Sequence, residues 1–437
     1  MLFIKFLNMI SLYNWDTASV ISLNEINKDL SKNGNQILSN FQFSGGGGGI
    51  VSPYSCTGEL AQWSIGSADS VDIIAVFLPI KSGTISSRNQ TLDISGLTIK
   101  MAVSLNFIAQ ATDLNSLIFA FDNAGRLGDS PKKNVVTPLA VSGPAALIAA
   151  LGLTGQEDLA NSFVKMMVSS AKPMNYIFAQ LGLSEASGTP WLAPTASIYC
   201  YASQLQGKDY LIILSVTNNQ QIAEIPQYDA QILPSNENNA TFAFTGKLFL
   251  KNIILPALST SFGQNLTLND LSVNSAGDQI QLKSPFDLNP ITVGLIDYVP
   301  EVTQLTGSMT DQGIILNLIG NCDLKAGISM TFSVESRPTL NSQVKNMQLQ
   351  FTADPKPISS HDASIPWYWW FAGLLVKTIV NIVVLEICTS LSNKLINNIN
   401  DQSINTITMG INWFGKTSPV MSSVQVNDAC TLKGIQS

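Results

Sequence analysis

Between residues 97 and 107 the chain alternates without a break. Leu97, Ile99, Met101, Val103, Leu105 and Phe107 share one parity, and Thr98, Lys100, Ala102, Ser104 and Asn106 share the other. Period-two alternation means a strand with one buried face and one wet face. With Leu92 and Ile94 upstream, the run is longer than an ordinary strand of ~5–6 residues. Long amphipathic antiparallel strands suit a twisted sheet wrapped around something apolar. Further strand patterns fall at 71–80, 176–183, 196–202, 210–216, 242–250, 266–273, 314–319, 328–334 and 347–351. Turn signals such as Gly263-Gln264-Asn265, Ala276-Gly277 and Asp311-Gln312-Gly313 separate the later ones. No fixed-period repeat is visible, which speaks against a propeller or solenoid.

A different period begins near the start of the chain. Asp16 or Thr17 can cap a helix, and Val20, Leu23, Ile26 and Leu30 recur at helical spacing, followed by Ile37 and Phe41. The spacing predicts a helix over about 16–41, broken near Gly34. Shorter helices are predicted at 143–152 and 156–171, the second ended by Lys172-Pro173. The largest helical feature spans 365 to about 400: Pro366 at the first turn, then Trp367, Tyr368, Trp369, Trp370 and Phe371, then an apolar stretch to Cys388. A membrane span needs ~20 apolar residues, but Lys377, Asn381 and Glu386 interrupt this one, and charges at mid-bilayer are costly. On a helix, Lys377, Thr378, Asn381 and Thr389 gather on one side, and Leu375, Ile379, Ile382 and Val383 lie largely elsewhere. The segment reads as a long helix buried in a sheet.

Composition narrows the function. Charged residues are only 12% of the chain and the net charge is −7, with no basic tract. Nucleic acid is excluded as a partner, because it needs clustered Lys and Arg. Any lipid contact has to be apolar rather than polybasic. The five cysteines, Cys56, Cys200, Cys322, Cys388 and Cys430, are scattered. That spacing offers neither a zinc site nor a disulfide framework and suits buried free thiols.

The single histidine, His361, lies in Ser-Ser-His-Asp, a polar linker ahead of the tryptophans. One histidine rules out a two-histidine metal motif, and no G-x-S-x-G elbow supplies a nucleophile for a triad. Gly45 to Gly49 is followed by Ile-Val-Ser-Pro without a Lys-Ser/Thr, so it reads as a flexible loop rather than a phosphate cradle. Neither a catalytic site nor a cofactor is expected. The apolar opening, residues 1–8, is broken by Lys5 and lacks a cleavage site. It reads as an extension or an upstream start, which leaves the cytoplasm or secretion without a classical signal peptide.

Several stretches carry a family resemblance. They are Tyr13-Asn14-Trp15-Asp16, Gly58-Glu59-Leu60-Ala61-Gln62-Trp63 leading into 73–80, Tyr176-Ile177-Phe178, Trp191-Leu192-Ala193-Pro194, Tyr199-Cys200-Tyr201, Tyr210-Leu211-Ile212-Ile213-Leu214 and Ile365-Pro366-Trp367. In this order they resemble the clostridial P-47/OrfX family. The resemblance implies a TULIP (tubular lipid-binding) fold, with long antiparallel strands around helices. It also implies genes beside bacterial toxins, lipid or phosphoinositide binding, and an accessory role in toxin action. It supplies no catalytic residues.

The resulting expectation is an α+β, TULIP-like, elongated protein. Residues 9–205 form an N-terminal lobe, 206–360 a second β-rich lobe, and 361–437 a C-terminal helix and tail packing back on the sheet. The expected ligand is a lipid or other apolar molecule, with toxin-cluster proteins as further partners. The candidates for lining its groove are Leu374, Leu375, Ile379, Ile382 and Val383, faced by Met101, Val103, Leu105 and Phe107, the alternative being a fully packed core without a cavity. Trp367, Trp369 and Trp370 are candidates for contact with a membrane boundary, which tryptophan favours, with ordinary packing of their rings as the alternative. The competing expectation is a membrane-inserting or pore-forming toxin component.

Overall fold

The computed structural model describes residues 10–33, 37–46, 52–68, 70–88, 90–111, 114–170, 176–182, 190–203, 208–217, 219–222, 225–235, 237–293, 295–324, 328–364, 373–400, 410–414 and 419–436. Its middle layer is a six-stranded antiparallel sheet. The strands run Ala196–Ser203, Asp209–Val216, Thr17–Ser22, Ala240–Thr245, Ala429–Ile435 and Val420–Asn427 across it. An 11-stranded sheet built mainly from residues 40–182 belongs to the first half, and a nine-stranded sheet from 271–364 to the second. The fold is therefore β-rich, with large antiparallel sheets.

The expected helix over 16–41 is corrected. Thr17–Ser22 is a central strand, the helix runs only over Leu23–Lys32, and Phe41 lies in a new strand, Asn40–Gly45. Residues 34–36, where the break was placed, lie outside the described residues. Central position explains the misreading. Ile21 faces one core and Val20 the opposite one, so both faces are apolar and the period-two signal vanishes. The cap is Ser22, whose hydroxyl accepts from Glu25 N at 3.4 Å. Asp16 instead ties strands together, its Oδ2 accepting from Thr217 N at 2.6 Å and Thr217 Oγ1 at 2.9 Å.

A second correction concerns 242–250. The strand stops at Thr245, and a helix follows over 246–261 with a π-turn at Leu250–Ile254. A buried apolar run does not distinguish strand from helix. Gly246 makes the switch possible: a Cβ there would sit 2.5 Å from the Asp428 carbonyl oxygen. Expected strands at 266–273 and 347–351 shrink to Leu271–Val273 and Phe351–Thr352. The linker around His361 is itself an edge strand, Ile358–Ser364, in which His361 is exposed opposite Phe332. The two helices expected at 143–171 are present: the helical span Ala145–Ser169 divides at Gly152, whose φ of 61° and ψ of 177° are not helical.

The fold repeats itself although the sequence shows no period. A central strand (17–22) leads to a helix (23–32), a sheet, a long helix (145–169), a short strand (177–182) and a central hairpin (196–216). The order then recurs: 240–245, 246–261, the second sheet, 373–400, 411–413 and 420–435. The two leading strands pair antiparallel, Ser19 opposite Phe242, so the halves meet about a local two-fold axis. The expected boundary at 205/206 falls inside the hairpin 196–216. The cores instead change at about residue 240, Ala240 belonging to the first and Phe242 to the second. A second pair of corresponding strands also meets. Ile411–Trp413 crosses over and pairs with Ile177–Gly182 at the edge of the first half's sheet.

Candidate lipid-binding surface

Each half wraps its sheet around its own helices. In the first half, the inward positions of Thr98–Ala111 join Ile26 and Leu30 of the short helix and Phe163, Val164 and Met167 of the kinked helix in one core. Met101 and Val103 are fully buried and Leu105 nearly so, while Phe107 is half-buried at the rim. The alternation over 97–107 thus identified which side chains point inward.

The second half encloses two helices of the same make. Residues 246–261 and 373–400 each carry a π-turn between α-helical stretches, at Leu250–Ile254 and Ser390–Lys394. They pack on each other. The Asn398 amide donates to Ala257 O at 3.3 Å and Thr260 Oγ1 at 2.8 Å. Asn400 ties the same helix to the sheet, accepting from Phe351 N at 2.6 Å and donating to Phe351 O at 3.1 Å. Insertions of this kind widen a helix locally and recur at functional sites.

The helix Gly373–Thr389 has a divided surface. Val376, Ile379, Val380, Val383 and Ile387 are buried in the second core. Lys377 and Asn381 are exposed, as the helical projection predicts. Ile382 and Leu385, however, are 38% and 66% exposed. They lie on a helix that packs against the strand Ile291–Val293, and Asn289 donates to Glu386 Oε1 at 2.9 Å beside them. Leu295, at the turn after that strand, is fully exposed.

The expected pairing of the two groove walls is corrected. Met101, Val103, Leu105 and Phe107 belong to the first core, and Ile379 and Val383 to the second. They do not face each other, because each half supplies its own helices to its own sheet. Period-two alternation shows which side of a strand is inward but not which helix it meets. Leu374 and Leu375 lie on the C-terminal helix, and their side chains are outside the described residues, as are Trp367, Trp369 and Trp370 entirely. Sequence reasoning did include Ile382 but gave no sign that it opens to solvent, and it missed Leu385.

The thiols stay separate. Cys56, Cys200, Cys322 and Cys430 are buried and free, and Cys388 is half-buried. Burial pushes Cys56 and Cys200 up to about 12 and Cys322 up to about 11. Such thiols are poor nucleophiles and metal ligands. No group of three or more His, Cys, Asp or Glu able to hold a metal occurs among the described residues. No helix among them is long and apolar enough to cross a membrane.

The chain is 24% identical over 439 residues to Protein P47 of Clostridium botulinum (strain Kyoto / Type A2), covering 97% of this chain and 99% of that one. The solved structure of P47 from Clostridium botulinum A2 superposes with a TM-score of 0.78 at 21% identity, over 98% of this chain and 99% of its own. That of P47 from Clostridium botulinum E1 gives 0.81 at 22% identity, over 98% and 100%. At these identities the likeness establishes the fold. The family model described as OrfX-like, Protein OrfX2/OrfX3/P47, matches residues 12–426, and this chain belongs to that family.

Proposed function

We propose that the protein is a non-enzymatic lipid-binding protein of the TULIP type, acting as an accessory component of a bacterial toxin gene cluster. The family relationship supports the accessory role. The lipid reading rests on one observation. On the C-terminal helix, Ile382 and Leu385 leave apolar surface open beside the second core. A polar outer face would have cost a sheathed helix nothing. An acyl chain lying along these two residues and the strand Ile291–Val293 recovers the buried area that water now contacts, about 25 cal/mol per Å². A phosphoinositide is the finer form of the proposal.

Native mass spectrometry of the purified protein, with extraction and identification of bound lipid, tests the reading. The parent should carry lipid, and Leu385→Asp should carry about tenfold less, since burying a leucine is worth ~1.5–3 kcal/mol. Absence of co-purified lipid together with absence of lipid uptake from vesicles overturns it. Leakage of vesicle contents on binding would favour a pore-forming component instead.

A further inference from the structure

The kinked helix of the first half holds a second apolar surface, separate from the C-terminal helix. Its opening turns, 145–151, read Ala-Ala-Leu-Ile-Ala-Ala-Leu, and no ionisable residue occurs between Gly143 and Gln156. Leu147, Ile148 and Leu151 are half-buried against the first core. On the other side Ala145, Ala146, Ala149 and Ala150 are exposed, and Leu153 is 86% exposed. A helix that is apolar all round belongs in a core or in lipid. This one has a core on one side only.

Local geometry holds the segment out. Gly152 takes φ 61° and ψ 177°, which breaks the helix after Leu151. A Cβ on Gly152 would meet nothing within 4 Å, so the break is not imposed by crowding at that residue. Gln156 Nε2 donates to the Ile148 carbonyl at 3.2 Å, linking the two arms across the kink. The kink also turns Leu153 into solvent.

Size and charge decide what covers this face. Four methyl groups and one leucine fall far short of the roughly 800 Å² per partner that a stable protein interface buries. A second copy of the chain is therefore too large an occupant for so small a patch. A bilayer needs no such area, because short apolar elements insert into the headgroup–acyl boundary with affinity set by the buried carbons. The face offers no cation, Glu157 and Asp158 follow it, and the whole chain carries −7. An anionic membrane is thereby disfavoured and a zwitterionic one favoured. We infer that residues 145–153 are a docking element that dips into the surface of a phosphatidylcholine-type bilayer. This goes beyond the bound lipid proposed above and involves the other half of the molecule.

The test uses the full chain with dioleoylphosphatidylcholine vesicles, with and without added phosphatidylserine. A Leu153→Cys variant, in a Cys388→Ser background, carries an environment-sensitive fluorophore at position 153. Phosphatidylcholine vesicles should shift its emission to the blue with little dependence on salt, and vesicles with added phosphatidylserine should shift it less, a difference that salt narrows. In co-sedimentation, Leu153→Asp and Ala149→Asp should each weaken vesicle binding about tenfold, a loss expected from burying a charge in place of a methyl or leucine. Ile225→Asp, at another exposed apolar position, should leave binding unchanged. Thermal midpoints of the variants report that folding is intact.

Vesicle binding that persists in Leu153→Asp, with the fluorophore still in water, overturns the docking element and leaves the bound-lipid reading standing. Absence of vesicle binding by the parent overturns it as well, while lipid found by mass spectrometry would still support the other reading. A lipid-independent, concentration-dependent blue shift with dimers in sedimentation equilibrium assigns the face to self-association and overturns it too.

Discussion

Trp413 lies on the crossing strand and tests whether the two halves form one cooperative unit. It comes from the end of the second half, yet it is 1% exposed inside the first core, and its strand pairs Trp413 with Ala179. Its indole Nε1 donates to Ser19 Oγ at 3.0 Å in a buried setting, on the strand that also pairs the halves. Replacing Trp413 by Ala removes a buried ring, a cavity-forming change costing about 3–5 kcal/mol. It also leaves Ser19 without that donor, a further cost of about 1 kcal/mol. A loss of about 4–6 kcal/mol is comparable with the whole stability of many domains, about 5–15 kcal/mol. Hydrogen exchange followed by mass spectrometry reads where the loss falls. In Trp413→Ala, amides of Thr98–Ala111 and Ile177–Gly182 in the first half should lose protection together with those of Val420–Asn427. Trp413→Phe, which keeps a ring and loses the N–H, should lie between parent and Ala. If Trp413→Ala loosens only residues after 400 and leaves Thr98–Ala111 as protected as before, the crossing strand is an ornament and the coupling argument fails.

Three further outcomes follow from particular contacts. Gly246→Ala should cost about 1–3 kcal/mol as an overpacking change against backbone, because its Cβ would lie 2.5 Å from Asp428 O. Gly182→Ala, where a Cβ would meet nothing within 4 Å, should shift the urea midpoint little. Equal shifts would refute the steric reading. Under native conditions a thiol reagent should modify Cys388 first, with Cys56, Cys200, Cys322 and Cys430 protected until unfolding; rapid modification of Cys200 would contradict its burial.

Alkali gives a signed test. The Cys56 and Cys200 thiols are pushed up to about 12 by burial, against ~8.5 in an unfolded chain. Because the folded value is the raised one, this contribution is fully present below the unfolded value. It is lost as pH climbs toward the folded value, at up to about 1.4 kcal/mol per pH unit for each thiol. Urea midpoints should therefore fall between about pH 9 and 11, and Cys56→Ala with Cys200→Ala should flatten the decline. An unchanged slope in the double variant would remove the thiols from the account.

What the pattern of residues revealed depended on which faces of an element carry large apolar residues. Along Thr98–Ala111 the large apolar residues all fall on one side, so its alternation was readable and its inward residues were identified, but the side expected to be wet is not, since Ala102 and Ser104 are buried as well. Thr17–Ser22 and Ala240–Thr245 sit mid-sheet between cores, so their apolar residues showed no strand period, and the first was read as helix. The helix after Gly246 was hidden for a related reason: a short run with most positions buried fits either period. The strand containing His361 was hidden by polarity, since an edge strand can be polar throughout. For the candidate surface, hydrophobicity placed Ile379, Ile382 and Val383 on one helix but could not say that Ile382 alone of the three opens to water. That distinction depends on where the sheet ends over the helix, which is a tertiary fact.

The duplicated order of elements gives three of the exposed apolar residues a common position. In each half they lie on the long helix that follows the sheet: Leu153 on Ala145–Ser169, and Ile382 and Leu385 on Gly373–Thr389. Both helices bury one side in the core of their own half. Core packing constrains only that inner side, and water favours polar residues on the other. The outer alanines and Leu153 share no sequence with Ile382 and Leu385, and the two helices break differently, one at a glycine kink and one at a π-turn. The two halves therefore reach the same departure from ordinary patterning by different residues. A single exposed leucine needs no explanation. Apolar exposure thus recurs at the corresponding element of both halves, in a chain with only 12% charged residues.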